Sequence, residues 1–200
     1  MKNTSDFERQ VGKLIEASIA TKKAMLDDAR IVATIAKVCE LLVNAFSQGN
    51  KILLFGNGGS AADAQHLAAE LVGRFAFDRP ALPALSLSIT TSCITAIGND
   101  YGFNQVFNRQ IEALARPGDI VIGISTSGTS SNVLSAFSTA KKMGLQTVAL
   151  TGKTGGKLRG TVDYCVCVPS NETPRIQECH GLIGHILSEL VEHAIFNHPD

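Results

Sequence analysis

The sequence has no excess charge of either sign and no long apolar run. Its 18 Lys and Arg residues balance 18 Asp and Glu residues, so no broad electrostatic attraction to nucleic acid or to a membrane is expected. No stretch approaches the roughly 18 apolar residues of a membrane span, and the N-terminal residues MKNTSDFERQ lack the apolar core of a signal peptide. We therefore expect a cytoplasmic protein with no nucleic-acid or membrane partner. A local pocket for a small anion is still compatible with this composition.

A disulfide framework is also missing. The 5 cysteines are an odd number and lie scattered through apolar segments, a pattern typical of reduced, buried thiols. Cys165 and Cys167 would point to the same side of a strand, where core packing is favoured over metal binding or redox chemistry.

The 200 residues, 44% of them hydrophobic, suit a single domain with a sizeable core. Residues 1–48 are predicted to form a helical hairpin, because apolar residues recur at helical spacing with a break near residues 26–29. Residues 49–200 would form an α/β core with a C-terminal helix. The apolar stripe of the hairpin suits either packing on the core or an oligomerisation bundle, and we favour the bundle.

The chain is organised around residues 51–74, KILLFGNGGSAADAQHLAAELVGR. A short apolar strand leads into a turn that contains Gly56, Gly58 and Gly59, and a helix follows. Free amides and the helix dipole make such a turn a site for an anion, typically a phosphate. His66 and Glu70 are four residues apart, so they share one face of that helix.

A second turn of the same kind follows the apolar strand at residues 120–124. Its hydroxyl side chains precede a helix and are suited to donating hydrogen bonds to phosphate oxygens; they include Ser125, Thr126, Ser127 and Ser130. Further strands are predicted at residues 51–55, 84–88, 146–150 and 164–168, with a loop at residues 98–102 and a final helix from about residue 175 to 196. Alternating strands and helices predict an α/β fold with a doubly wound, five-stranded parallel sheet.

Three familiar motifs fail on inspection. Gly56, Gly58 and Ala61 match a loose dinucleotide fingerprint, but the second strand ends without the acidic residue that would hold a ribose. Gly152-Lys153-Thr154 resembles the end of a P-loop, yet Thr147 occupies the position of its first glycine. No G-x-S-x-G elbow is present, so a hydrolase triad has no place for its nucleophile.

His66 and Glu70 suit either two ligands of one divalent metal or a hydrogen-bonded acid/base pair. Taken alone, such a pair is more often a solvated ion pair. Its position just beyond a phosphate turn favours a metal or acid/base site. The final helix adds Gln177, His180 and His185 as candidate partners. Helix spacing alone does not choose between the two histidines.

Four segments in order resemble the bacterial phosphoheptose isomerases, which are sugar isomerase (SIS) domain proteins. They are GNGGSAADAQHLAAEL (56–71), ITAIGNDYG (94–102), ISTSGTSSNV (124–133) and RIQECHGLIGHIL (175–187). The resemblance spans essentially the whole chain and implies a flavodoxin-like SIS fold. It also implies isomerisation of sedoheptulose 7-phosphate to D-glycero-D-manno-heptose 7-phosphate, through an enediolate, on the way to lipopolysaccharide heptose.

The resemblance further implies a homotetramer with active sites at subunit interfaces and one Zn²⁺ per subunit. The implied metal ligands are His66, Glu70, Gln177 and His185, and Glu70 and His185 would be the catalytic acid/base pair. The implied substrate contacts are Asn57, Gly58, Gly59, Glu70, Asn99, Asp100, Ser125, Thr126, Ser127, Ser130 and Gln177.

One position departs from the family pattern, since many members have Asp where this chain has Thr90. The departure bears on the conformation of the segment that leads to Asn99 and Asp100. The alternative function is a non-catalytic SIS regulator that binds a sugar phosphate or the bacterial replication initiator protein. That sister group lacks the residues that correspond to Glu70 and His185, and both are present here, so an enzyme is favoured.

Overall fold

The computed structural model describes residues 4–196. Two helices open the chain, α1 (Thr4–Asp27) and α2 (Ala29–Ser47). They separate at Asp28, whose carboxylate accepts a hydrogen bond from the amide of Arg30 and caps α2. The predicted helical hairpin and its break are therefore confirmed.

Five parallel strands form one sheet in the order β2-β1-β3-β4-β5. The strands are β1 (Ile52–Gly56), β2 (Ala84–Ser86), β3 (Ile120–Ser125), β4 (Gln146–Thr151) and β5 (Tyr164–Cys167). The remaining helices are α3 (Gly59–Val72), α4 (Thr91–Tyr101), α5 (Asn108–Leu114), α6 (Ser131–Lys142) and α7 (Thr173–Phe196). The doubly wound parallel sheet is thus confirmed, with β2 ending two residues earlier than expected.

Each face of the sheet has its own apolar cluster. On one face, side chains of α2, α3 and α7 pack against alternate residues of the central strands, such as Ile52, Leu54 and Ile122. On the other face, α5 and α6 cover residues such as Leu53 and Phe55. This two-sided burial explains why β1 and β3 are apolar at nearly every position.

One local prediction was wrong. The segment at residues 98–102 is not a loop, because α4 continues through Asn99 and Asp100 to Tyr101. The helix ends only at Gly102, whose φ of 87° is readily adopted by glycine and disfavoured for other residues. Helix α5 and the short 3₁₀ turns at Phe103–Gln105 and Leu158–Gly160 had not been predicted.

The strand order fixes where a ligand has room. The connections from β1 and β3 leave the sheet in opposite directions, so a crevice opens beyond the C-terminal ends of these two strands. Both predicted phosphate turns lie there. None of the described helices combines the length and apolar composition that a membrane crossing requires. The division of the chain into a hairpin (1–48) and a core (49–200) stays a prediction.

Candidate active site

The glycine turn and the Ser/Thr turn are joined side by side by two amide side chains. Asn57 follows β1, and Asn132 lies in the first turn of α6. Each donates its Nδ2 hydrogen to the Oδ1 of the other at 2.9 Å. Asn132 is 2% exposed and Asn57 is half-buried, so the pair is shielded from water on the Asn132 side. The pair holds the two turns at a fixed position across the crevice. It also occupies the side-chain amide of Asn57, which is then not free to bind a ligand.

Hydroxyl groups gather at the end of β3. The Oγ atoms of Ser125 and Ser130 lie 3.1 Å apart, and Ser127 Oγ accepts hydrogen bonds from the amide and hydroxyl of Thr129. Ser130 is the N-cap of α6 but makes no side-chain hydrogen bond to that helix. The 12-residue helix therefore points its positive end at a cluster of hydroxyl donors.

A cavity of about 210 Å³ adjoins this turn. Thr126 and Ser127 line one side of it, and Lys153 and Thr154 from the loop after β4 line the other. The amide of Gly152 donates to the carbonyl of Thr126 at 3.0 Å and holds the two loops together. Lys153 thus lies beside the hydroxyl turn.

Further along α3, three ligand-type side chains meet between α3 and α7. The Nε2 atoms of His66 and His185 lie 2.8 Å apart, and Glu70 Oε1 lies 3.5 Å from His66 Nε2. All three ligand atoms lie within 4.8 Å of one another. The two histidines are exposed and Glu70 is half-buried. The two helices run in parallel, so residues near the middle of each come together.

His180 is not part of this cluster. It is 1% exposed under the sheet, and its Nε2 lies 3.2 Å from the carbonyl oxygen of Thr151. Burial lowers the pKa of His180 to about 4, so its ring is neutral near pH 7. Of the two histidines that helix spacing left open, the structure brings only His185 to His66 and Glu70.

Gln177 lies two turns earlier on α7, against the glycine turn. A Cβ atom at Gly59 would overlap the amide of Gln177, so a larger residue at position 59 would displace that side chain from the glycine turn. Eight residues separate Gln177 from His185, which is about 12 Å along a helix axis. Its place favours contact with a ligand in the crevice, and its role as a metal ligand stays a prediction.

Asn99 and Asp100 lie on the exposed last turn of α4, where Asn99 Nδ2 donates to Asp100 Oδ1 at 2.8 Å. Within residues 4–196, no hydrogen bond joins either of them to the three-residue cluster. Thr90 precedes α4 and makes no side-chain capping bond. An Asp here would be a stronger N-cap than Thr, so the departure from the family pattern affects the start of α4.

Sequence reasoning missed the ion pair that fixes the end of α3. Glu192 of α7 is fully buried, and its carboxylate accepts hydrogen bonds from the amides of Phe75 and Ala76 and from Arg79 Nε at 2.7 Å. The Arg79 guanidinium also donates to the carbonyl oxygen of Glu70 at 2.9 Å. The pair therefore ties the backbone at Glu70 to the helix that holds His185.

The fold and site define a class of protein. The family model of the SIS domain matches residues 7–152. The phosphoheptose isomerase of Aneurinibacillus thermoaerophilus is 55% identical over 182 residues, which is 91% of this chain and 92% of that protein. That of Sulfurimonas denitrificans is 50% identical over 190 residues, 95% of this chain and 97% of that protein.

A solved structure agrees with these relatives. The phosphoheptose isomerase from Neisseria gonorrhoeae superposes with a TM-score of 0.87 at 40% identity, covering 93% of this chain and 98% of that one. The chain therefore belongs to the phosphoheptose isomerase family of SIS-domain proteins. The resemblance seen in the four sequence segments is confirmed.

Proposed function

We propose that this chain converts sedoheptulose 7-phosphate to D-glycero-D-manno-heptose 7-phosphate. The observation that supports this most directly is the convergence of His66, Glu70 and His185 beyond a phosphate-binding turn. An aldose–ketose isomerase needs an anchor for the phosphate and acid/base groups at the other end of the sugar. The crevice supplies both, and the 50–55% identity to phosphoheptose isomerases points to the heptose.

The phosphate binds at the Ser/Thr turn in this account. Backbone amides at the start of α6 and the hydroxyls of Ser125, Ser127 and Ser130 donate to its oxygens, and the helix dipole adds to the attraction. Thr126, Gly58 and Gly59 line the same crevice. Asn57 contributes through its backbone, because its side-chain amide is already bonded to Asn132. Binding energy gained at the phosphate positions the reacting carbons.

The reacting end lies along α3. His66 follows Gly59 by seven residues, about 10 Å along the helix axis. A sugar anchored at its terminal phosphate thus extends from the crevice toward the cluster. Gln177 lies between the phosphate turn and the His/Glu cluster. It would contact the middle carbons of the sugar, which agrees with its place against Gly59. A long phosphosugar with its carbonyl remote from the phosphate fits this arrangement.

Glu70 acts as the base that removes a proton from C1 of the ketose. Its Oε1 faces His66, which leaves Oε2 to accept the proton. His185 is the partner acid/base group, and it moves a proton between O1 and O2 and returns one toward C2. The separations of 2.8 and 3.5 Å among these groups are within reach of direct proton transfer. Proton transfer by positioned groups typically contributes 10²- to 10⁴-fold in rate.

The same three side chains fit a zinc ion. Two imidazole nitrogens and a carboxylate are the donors found in catalytic zinc sites. The Nε2 atoms of His66 and His185 lie 2.8 Å apart and Glu70 lies beside them, so these three side chains would hold the ion. Bound there, zinc supplies Lewis-acid stabilisation of negative charge on the substrate oxygens. One ion per subunit, with Gln177 as a fourth ligand, is the arrangement that the family resemblance implies.

We further propose a homotetramer with its active sites at subunit interfaces. One face of α1 exposes a row of large apolar side chains, each more than half exposed: Phe7, Val11, Leu14, Ile15 and Ile19. A row of this kind is costly in water and suits a helix bundle between copies. The exposed positions of Asn99, Asp100 and the two histidines of the cluster also suit a site completed by a neighbouring subunit.

Incubation with sedoheptulose 7-phosphate, with and without a chelator, tests the proposed reaction. We expect an aldoheptose 7-phosphate to appear in the proton NMR spectrum and fructose 6-phosphate to turn over far more slowly. Its product would feed heptose precursors of lipopolysaccharide or a related glycan. Failure to form any aldose, with tight binding of the sugar phosphate, would instead favour a non-catalytic SIS regulator.

A further inference from the structure

Two cysteines of the edge strand β5 face each other outside the crevice. Cys165 and Cys167 lie on one side of β5, and their Sγ atoms are 3.6 Å apart. The hydroxyl of Thr151, on the adjacent strand β4, lies 3.6 Å from the first sulfur and 3.4 Å from the second. Both residues are half-buried rather than enclosed. Nothing in the proposed isomerisation uses them.

The two sulfurs line a cavity of about 360 Å³ between β5 and the start of α2. Three cationic side chains line the same cavity: Arg30, Lys153 and Arg159. Arg30 is neutralised by Asp28, since the two form an ion pair at 2.9 Å. Within residues 4–196, neither Lys153 nor Arg159 has a carboxylate partner within 4 Å. The thiols therefore face a surplus of positive charge.

This setting separates the acidities of the two thiols. A hydrogen bond from Cys165, supported by Thr151 and by the charge of Arg159, lowers the pKa of Cys167 to about 6. The same hydrogen bond and burial raise the pKa of Cys165. Because the two share a proton, the pair loses its first proton near neutral pH as one unit. A thiolate beside a protonated thiol is the arrangement found in reactive dithiols.

The buried cysteines provide a contrast within the same chain. Cys39 and Cys179 are enclosed in the core, and burial raises the pKa of both, to about 11 for Cys39. They are suited to packing only. Cys93 is exposed on α4, with no second cysteine close to it among the described residues. Only the β5 pair combines two adjacent sulfurs, a cavity and nearby cations.

We propose that Cys165 and Cys167 form a peroxide-reactive pair, in which Cys167 is the attacking thiolate and Cys165 the resolving thiol. The thiolate attacks one oxygen of hydrogen peroxide, the O–O bond breaks, and hydroxide leaves, so Cys167 becomes a sulfenic acid. Cys165 then attacks that sulfur, water leaves, and a disulfide forms. The peroxide is reduced by two electrons, and the two thiols are oxidised by two.

A disulfide between these positions requires a local change in the backbone of the strand. Residues two positions apart on a parallel strand have Cα atoms about 6.6 Å apart. This is at the long end of the 4.4–6.8 Å range seen for disulfides. The sulfurs already point to the same side and need to approach from 3.6 Å to about 2.0 Å. A disulfide also needs Cβ atoms about 3.5–4.5 Å apart, closer than a regular strand holds them, so β5 must bend locally. In the part of the chain that the structure describes, this strand lies at the edge of the sheet and pairs on one side only.

Peptide mass spectrometry after a brief exposure to hydrogen peroxide at pH 6 tests the pair. Tryptic cleavage releases residues 160–175, which contain Cys165 and Cys167 and no other cysteine. We expect this peptide to lose two hydrogens and dithiothreitol to restore them. At pH 6 the lowered pKa of Cys167 keeps a larger fraction of it as thiolate than a free thiol has. A thiolate from a thiol of low pKa is a weaker nucleophile. With this taken into account, Cys167 should be oxidised roughly tenfold faster than free N-acetylcysteine.

Three variants separate the roles. Cys165→Ser should stop at the sulfenic acid, which dimedone traps on Cys167, whereas Cys167→Ser should leave peptide 160–175 unoxidised at the same dose. Cys93→Ser is the matched control and should oxidise like the wild type. The proposal fails if peptide 160–175 keeps both thiols while the Cys93 peptide gains oxygen. It also fails if Cys165→Ser yields no dimedone adduct.

Discussion

The Nε2 atoms of His66 and His185 lie 2.8 Å apart, although 119 positions separate them in the sequence. Two imidazole nitrogens at this distance either share a proton or coordinate one ion between them. Their contact follows from the parallel packing of α3 and α7, in which Leu67 of α3 lies beside Gly184 of α7. The chemistry proposed for the crevice follows from this one helix–helix contact.

Removal of metal should lower activity, because it removes the Lewis-acid stabilisation of negative charge on the substrate oxygens. We expect dialysis against a chelator to abolish most turnover and added Zn²⁺ to restore it. Elemental analysis should find about one zinc per chain in the wild type and little in His66→Ala. The variant Glu112→Gln, at an exposed position of α5, is the control and should keep its metal. Full activity in metal-free protein would make zinc incidental.

Ser127→Ala should weaken substrate binding more than catalysis. The substitution removes one hydroxyl donor at the phosphate turn while the helix dipole of α6 stays. A lost hydrogen bond to a charged group costs about 1.5–3 kcal/mol, so KM should rise at least tenfold with kcat within a few-fold of the wild type. Steady-state kinetics measure both constants. Ser138→Ala, on the exposed side of α6, is the control, and an unchanged KM for Ser127→Ala would place the phosphate elsewhere.

Ile15→Glu should disrupt the assembly. Ile15 is 55% exposed in the middle of the apolar row on α1, and a buried unpaired carboxylate at an interface costs several kcal/mol. Light scattering coupled to size-exclusion chromatography should show a tetramer for the wild type and smaller species for the variant. Lys13→Glu, on the opposite side of α1, introduces the same carboxylate, changes the charge by two units instead of one, and should remain a tetramer. Wild-type protein that elutes as a monomer would contradict the proposed bundle.

Glu192→Gln should destabilise the fold by about 3–5 kcal/mol, because it leaves the buried Arg79 guanidinium without its counter-charge. Urea unfolding at fixed protein concentration measures the loss, and Glu189→Gln on the exposed side of α7 should change stability by less than about 0.5 kcal/mol. A variant as stable as the wild type would show that the pair contributes no net stability.

The same carboxylate predicts a pH dependence. Burial raises the pKa of Glu192, but hydrogen bonds from the amides of Phe75 and Ala76 and from Arg79 outweigh it, so the pKa lies below its ordinary value of 4.5. The unfolded chain then binds a proton more readily than the folded one. This contribution to stability is present above about pH 4.5 and disappears as the pH falls through the lower folded value. As the pH falls over that range, the unfolding free energy of Glu192→Gln should decrease less steeply than that of the wild type.

The sheet and its turns were predictable because their determinants are local. Apolar strands followed by glycine or hydroxyl turns specify both the parallel order and the side on which ligands bind, and His66 and Glu70 share a helix face by spacing alone. Nothing in the local sequence showed that His185, and not His180, joins His66 and Glu70. The two histidines lie on different sides of α7, and the sequence does not show which side packs against the sheet. Tertiary packing decided it by burying His180 beneath Thr151.

The contacts that were missed all join distant parts of the chain. Asn57 and Asn132 are 75 positions apart, and Arg79 and Glu192 are 113 positions apart. Each side chain alone resembles an ordinary surface residue, and only the folded arrangement gives it a buried partner. The incorrect prediction of a loop at residues 98–102 has a different cause. Polar residues before a glycine are equally typical of a turn and of the last turn of a helix.

The role of Glu70 as the base is the central claim, and proton exchange with solvent tests it most directly. Wild-type protein and Glu70→Gln are each incubated with sedoheptulose 7-phosphate in D₂O and followed by proton NMR. The account predicts that the wild type forms aldoheptose 7-phosphate with deuterium at C2, and that Glu70→Gln, folded and assembled like the wild type, loses at least about 10²-fold in rate. Isomerisation by Glu70→Gln at the wild-type rate would contradict it.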